Sequence, residues 1–196
     1  MLQALLLFTS TTLAAHKTAE GPPSGPTFYE RVADKLASDP ALAAAAKGPA
    51  PQMQKLQWLI GDWRVEAHVF ATATTPERKR IGTSKVQPML DGAWLQITAD
   101  YADGTHDLDY VGYDVSMQRW TSFSLGYAGS NLTTFASDWV DDKIEFSAHR
   151  ARVMGVDVEL RQIIEKRSDT EYRVRNDERL GKKWVRLDEY TFIKAK

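Results

Sequence analysis

Lys143-Ile144-Glu145-Phe146-Ser147-Ala148-His149-Arg150 and, a few residues on, Val156-Asp157-Val158-Glu159-Leu160-Arg161 decide the fold. In the first run Ile144, Phe146 and Ala148 alternate with Lys143, Glu145, Ser147 and His149. In the second, Val156, Val158 and Leu160 alternate with Asp157, Glu159 and Arg161. A period of two gives each extended segment one dry and one wet face, as in an antiparallel sheet packed on one side only. Tyr172 and Val174 repeat the pattern against Glu171, Arg173 and Arg175.

Working outward, ten strand-like runs fall near 62–70, 79–87, 93–101, 106–114, 118–126, 130–138, 143–150, 156–166, 170–178 and 183–194. Short turn signals join them: Asp91-Gly92, Asp103-Gly104, Asp141-Asp142 and Arg179-Leu180-Gly181. Such turns link sequential neighbours into a meander. No helical pattern recurs between the strands, so parallel crossover units are excluded. Ten meandering strands with one buried face are expected to close into an up-and-down barrel, which removes the exposed edges.

Before the strands the period is that of a helix. Met53, Leu56, Leu59 and Ile60 set a short helix over 51–60, ended by Gly61. Phe28, Val32 and Leu36 mark a helix over 28–37 with Thr27 as N-cap, and Pro40 restarts a second one that Gly48-Pro49 stops. Gly21-Pro22-Pro23-Ser24-Gly25-Pro26 reads as a linker. Residues 16–50 are thus expected to be a linker and helical arm, and 51–196 the barrel domain.

Residues 1–15 read as a signal peptide. Leu2 to Phe8 is apolar and Leu13-Ala14-Ala15 ends in small residues, although no Lys or Arg precedes the apolar run. The run is much shorter than the ~20 residues of a membrane span. Export to a bacterial periplasm or medium is the expectation. The absence of cysteine fits it, because small exported eukaryotic domains commonly rely on disulfides. Lys and Arg total 25 against 26 for Asp and Glu, so no basic field is available for nucleic acid. His16, His68, His106 and His149 have no metal-ligand spacing. His106 and Asp107, with Asp109 close behind, follow the Asp103-Gly104 turn and read as a solvated loop.

Leu56-Gln57-Trp58-Leu59-Ile60-Gly61-Asp62-Trp63 resembles the short helix and Gly-x-Trp that open lipocalin-like barrels. Gly112-Tyr113-Asp114 with Arg119-Trp120, and Gly181-Lys182-Lys183-Trp184 with Glu189-Tyr190-Thr191-Phe192, resemble the bacterial domain-of-unknown-function family 1579. The resemblance spans roughly 53–194 and implies an all-β, lipocalin-like barrel with no assigned activity. The Gly-x-Trp opening is also distantly similar to nitrobindin-like haem barrels, which use a late histidine. Here the last histidine is His149, so no haem or other cofactor is expected.

The family-like parity turns Trp63, Val65, Ala67 and Val69 inward, with Trp63 plugging one end. On the final strand it turns Trp184, Arg186, Asp188, Tyr190 and Phe192 inward, and on the strand before it Tyr172, Val174, Asn176 and Glu178. Arg186, Asp188, Glu178 and Asn176 are therefore the expected polar anchors of a ligand, or else a self-satisfying ion-pair network at the barrel mouth. An Arg fork there would suit a carboxylate or phenolate. Tyr190, Tyr110 and Trp120 are expected to add aromatic wall, and Ser122, Ser124 and Gln162 polar contacts.

Three functions follow as alternatives. The first is a barrel holding a small, largely apolar or aromatic molecule. The second is a cofactor-free isomerase, cyclase or lyase using Asp188 or Glu178 in proton transfer. The third is a filled barrel that docks onto a partner through its surface or the helical arm. Oligomeric state is left open.

Overall fold

The computed structural model describes residues 25–72, 76–126 and 130–196. The expected signal peptide and most of the Gly-Pro linker lie outside the described residues. The chain divides into two compact units, Met1–Ser38 and Asp39–Lys196.

The described part of the first unit is helix α1 (Phe28–Ser38), in which no residue is buried. Its start is a capping box. Thr27 N donates to Glu30 Oε2 at 2.6 Å, and Glu30 N donates back to Thr27 Oγ1 at 3.4 Å.

The second unit begins with helix α2 (Pro40–Ala45), whose Leu42 N donates to the Asp39 side chain. A run of 3₁₀ turns follows over Pro51–Leu59 and buries Met53, Leu56 and Leu59. An α-helix was expected at this place. The three-residue spacing of those apolar side chains suits the tighter helix, in which positions i and i+3 eclipse.

Ten strands then form a closed antiparallel barrel: β1 (Gly61–Val69), β2 (Arg78–Met89), β3 (Trp94–Tyr101), β4 (His106–Asp114), β5 (Arg119–Leu125), β6 (Asn131–Ala136), β7 (Lys143–Val153), β8 (Val156–Lys166), β9 (Glu171–Leu180) and β10 (Lys183–Lys194). Each strand pairs with its sequence neighbours, and β1 with β10 closes the ring through pairs such as Val65↔Phe192 and Ala67↔Tyr190. The architecture is the all-β, up-and-down barrel that the alternation calls for.

The 3₁₀ run plugs one end. Trp63 is buried and its indole Nε1 donates to Leu59 O at 2.8 Å. Tyr172 lies edge-on to Trp63 and Trp58 and stacks on Phe192 at 4.3 Å. Val86, Leu95, Val111, Trp120, Ile144 and Phe146 complete this buried floor. Aromatic area of this size, withdrawn from water, anchors the closed end.

Two irregularities interrupt the ladder. Register shifts between Ala148 and Ala151 on β7, and between Arg186 and Asp188 on β10. The second decides where the polar groups of the last strand point.

Candidate functional site

Above the floor the barrel encloses a cavity of about 330 Å³, at the small end of the range for organic-ligand pockets. Its apolar wall includes Ile97, Ala99, Val111, Leu132, Ile164 and Val174. Its polar groups are unevenly charged: Asp107, Asp109 and Asp188 line it, together with Ser122, Ser124, Thr134, Gln162 and Asn176. Among the described residues Arg161 is the one basic residue in the lining, and its guanidinium turns away to Asp177 at 2.9 Å.

Strand register explains the convergence. Asp109 pairs with Ser124 across β4 and β5, and the two side chains are hydrogen-bonded. Asp188 pairs with Asn176 across β10 and β9, and Asn176 Nδ2 donates to Asp188 Oδ1 at 2.7 Å. Asp107 sits one step nearer the mouth and accepts from the Tyr101 hydroxyl at 2.8 Å. Arg80 covers the Tyr101 ring, its Cζ 3.5 Å from the centroid, and also bonds Thr105 and Asp103.

Burial lifts the Asp109 carboxyl to about 6; the Ser124 hydrogen bond opposes the rise and the charge of Asp107 adds to it. Burial also lifts Asp188 to about 6, against the Asn176 hydrogen bond and with the help of Asp107. The phenols of Tyr101, Tyr172 and Tyr190 are all pushed up by burial and then by neighbouring carboxylates. Asp107 acts on Asp109, Asp188 and both mouth-side tyrosines, so the three carboxylates share one field. The Tyr172 hydroxyl is buried at the base of this field without a hydrogen-bond partner.

The family of proteins of unknown function called DUF1579 matches residues 48–187. The chain belongs to DUF1579. No curated protein sequence matches it. A solved structure titled "Structure of EF1p2_mFAP2b bound to DFHBI" is similar at 12% identity and a TM-score of 0.39, covering 74% of this chain and 99% of that one.

Within the DUF1579 barrel, Asn176, Asp188 and Tyr190 line the cavity, as do Ser122, Ser124 and Gln162. Five other residues expected there stand elsewhere. Arg186 is not in the cavity: Leu187 is an extra residue at the β10 bulge, so Arg186 pairs with Asp177 on the outer face and donates to it at 2.6 Å. Trp184 shares that outer face, under the guanidinium of Arg161 at 4.5 Å. Glu178 has the inward parity but pairs with Leu160 and Val185 at the mouth, outside the cavity lining. Tyr110 faces outward, accepts a hydrogen bond from Gln96, and lines a shallow apolar groove with Met89, Leu90, Trp94 and Phe123. Trp120 points inward but is part of the floor, edge-on to Tyr113 at 5.3 Å.

Sequence reasoning missed Asp107, Asp109, Tyr101 and Arg80 as site residues of this DUF1579 chain. The strand expected near 106–114 is present, but Asp107 and Asp109 on it are not solvated: both line the cavity. A usable signal was there: Val111 and Asp109 share parity, and Val111 is a buried wall residue.

Proposed function

We propose that this barrel binds a small, largely apolar molecule in its interior. The observation that carries the reading is the hollow itself: a largely aliphatic and aromatic wall with polar groups on β4, β5, β6, β8, β9 and β10. A folded domain that only needed stability would gain by filling such a space, since voids forfeit packing energy. The volume suits a molecule of one or two fused rings.

The test is native mass spectrometry of freshly purified full-length chain, combined with titration of the neutral dye 1-N-phenylnaphthylamine. A co-purifying small molecule, or saturable dye fluorescence lost in Ala99→Phe and Thr134→Phe, supports the reading. No bound molecule and no saturable dye signal overturns it.

Asp109 and Asp188, with carboxyls near 6, favour a second reading in which the same hollow is the site of a cofactor-free isomerase, cyclase or lyase. Turnover abolished by Asp188→Asn in a folded barrel would carry it. We also propose export. Leu2 to Phe8 and Leu13-Ala14-Ala15 support it, and N-terminal sequencing of the secreted or periplasmic chain tests it.

A further inference from the structure

Resting on that binding reading, we propose that the ligand carries a hydrogen-bond-donating cation, a protonated amine or amidine on an apolar ring, seated between Asp109, Asp188 and the Tyr172 hydroxyl.

The charge balance of the interior is the first reason. Among the described residues three carboxylates reach the hollow, and the one basic residue of the lining, Arg161, has its guanidinium on Asp177 outside. Arg80, near the mouth, is held by Asp103, Thr105 and the Tyr101 face. An anionic or phenolate head would face the like charges of these carboxylates at this depth. A cation would supply what the field lacks.

The unsatisfied phenol is the second and independent reason. Tyr172 is only 2% exposed, its ring is fixed by Trp58, Trp63 and Phe192, and its hydroxyl has no partner. A buried hydroxyl left unpaired costs on the order of 1–3 kcal/mol. Tyr172 and Asp109 line the same cavity, and the charge of Asp109 adds to the burial that raises this hydroxyl. An N–H donor entering between them would give Tyr172 Oη its missing contact and Asp109 its missing charge.

Asn176 donates to Asp188 and Ser124 is bonded to Asp109, which orients both carboxylates and leaves further lone pairs free to accept. Among the described residues no three His, Asp or Glu side chains are arranged to hold a metal ion. With carboxyls near 6, Asp109 and Asp188 are mainly charged at neutral pH and available to such a partner.

Isothermal titration of the full chain at pH 7.5 with three matched probes tests this: 2-naphthylmethylammonium, 2-naphthalenemethanol and 2-naphthoate. The ammonium is expected to bind at least tenfold tighter than the alcohol, and the carboxylate weakest. Asp109→Asn and Tyr172→Phe are expected to reduce the ratio of ammonium to alcohol affinity from at least tenfold to about twofold or less. Should either variant unfold, Asp188→Asn replaces it with the same expectation. Alcohol or naphthoate binding as tightly as the ammonium overturns the inference and leaves the hollow a binding site. Binding of none of the three, with 1-N-phenylnaphthylamine still bound, also overturns it. If the dye fails too, the binding reading falls with it.

Discussion

Arg186 and Asp177 form a 2.6 Å ion pair on the outside of the barrel, immediately before the bulge that points Asp188 inward. Arg161 donates to the other Asp177 oxygen at 2.9 Å, and Arg186 continues to Glu189 at 3.0 Å. Asp177 is only 2% exposed, covered by these side chains. Burial pushes its carboxyl up, but the hydrogen bonds and charges of Arg186 and Arg161 outweigh that and hold it below the usual range. A depressed carboxyl stabilises the fold above its unfolded pKa and loses that contribution as pH falls through the folded one. Asp177→Asn is therefore expected to cost about 2 kcal/mol at pH 7, the half-exposed arginines discounting a fully buried pair. The difference should vanish near pH 2, as read by urea denaturation at both values.

Asp109 acts in the opposite sense. Its carboxyl is raised to about 6, so the folded chain keeps a proton that the unfolded chain releases near 4. Stability from this group is full below the unfolded value and is lost as pH rises through about 6. Asp188 adds the same dependence, also near 6. Asp109→Asn is expected to raise Tm at pH 7.5 by roughly 5 °C, corresponding to ~1–2 kcal/mol, with little change at pH 4. Thermal melts of ligand-free protein at the two pH values check it. An unchanged Tm at pH 7.5 would mean that the carboxylate is better solvated than its place in the wall implies.

These two aspartates show what the sequence could and could not reveal. Alternation located every strand to within a few residues, because a barrel wall dry on one side writes its period directly into the chain. It failed on β4, where Tyr110 faces outward and Asp107 and Asp109 line the cavity. Tyr110 is drawn outward by the apolar groove it shares with Trp94 and Phe123, so the drier-looking face of the strand is the wrong one. On β10 the apolar parity was sound from Phe192 to Asp188 and broke at one inserted residue. A bulge adds a residue without any compositional mark, and everything beyond it changes face.

Gly82 is required by a close approach between strands. It pairs with Val65 on β1 and Tyr101 on β3, and a Cβ built there would overlap the Asp100 backbone carbonyl. Backbone cannot yield as a flexible side chain would, so β2 and β3 would have to separate. Gly82→Ala is expected to destabilise by about 2–3 kcal/mol, as for other overpacked positions. It should also weaken dye binding, since Tyr101 and Ala99 on β3 line the hollow. Chemical denaturation gives the first effect and fluorescence titration the second.

Deleting Leu187 gives the sharpest test of the bulge. Arg186 pairs with Asp177 and Asp188 with Asn176, adjacent partners on β9, so removing the residue between them leaves every remaining pair in register. The losses are one side chain from the cavity wall and the hydrogen bond from Phe70 N to Leu187 O at 3.0 Å. Together these amount to about 2–3 kcal/mol. Deleting Thr191 in the regular part of the same strand would instead invert one side of it, turning Phe192 outward or Tyr190 and Asp188 with it. Leu187 deletion is therefore expected to give a folded, monodisperse barrel with a cooperative melt and an enlarged hollow, and Thr191 deletion an insoluble or molten chain. Circular dichroism in the near ultraviolet distinguishes the two outcomes, because the Trp63, Tyr172 and Phe192 cluster at the floor persists only if the β10 register does.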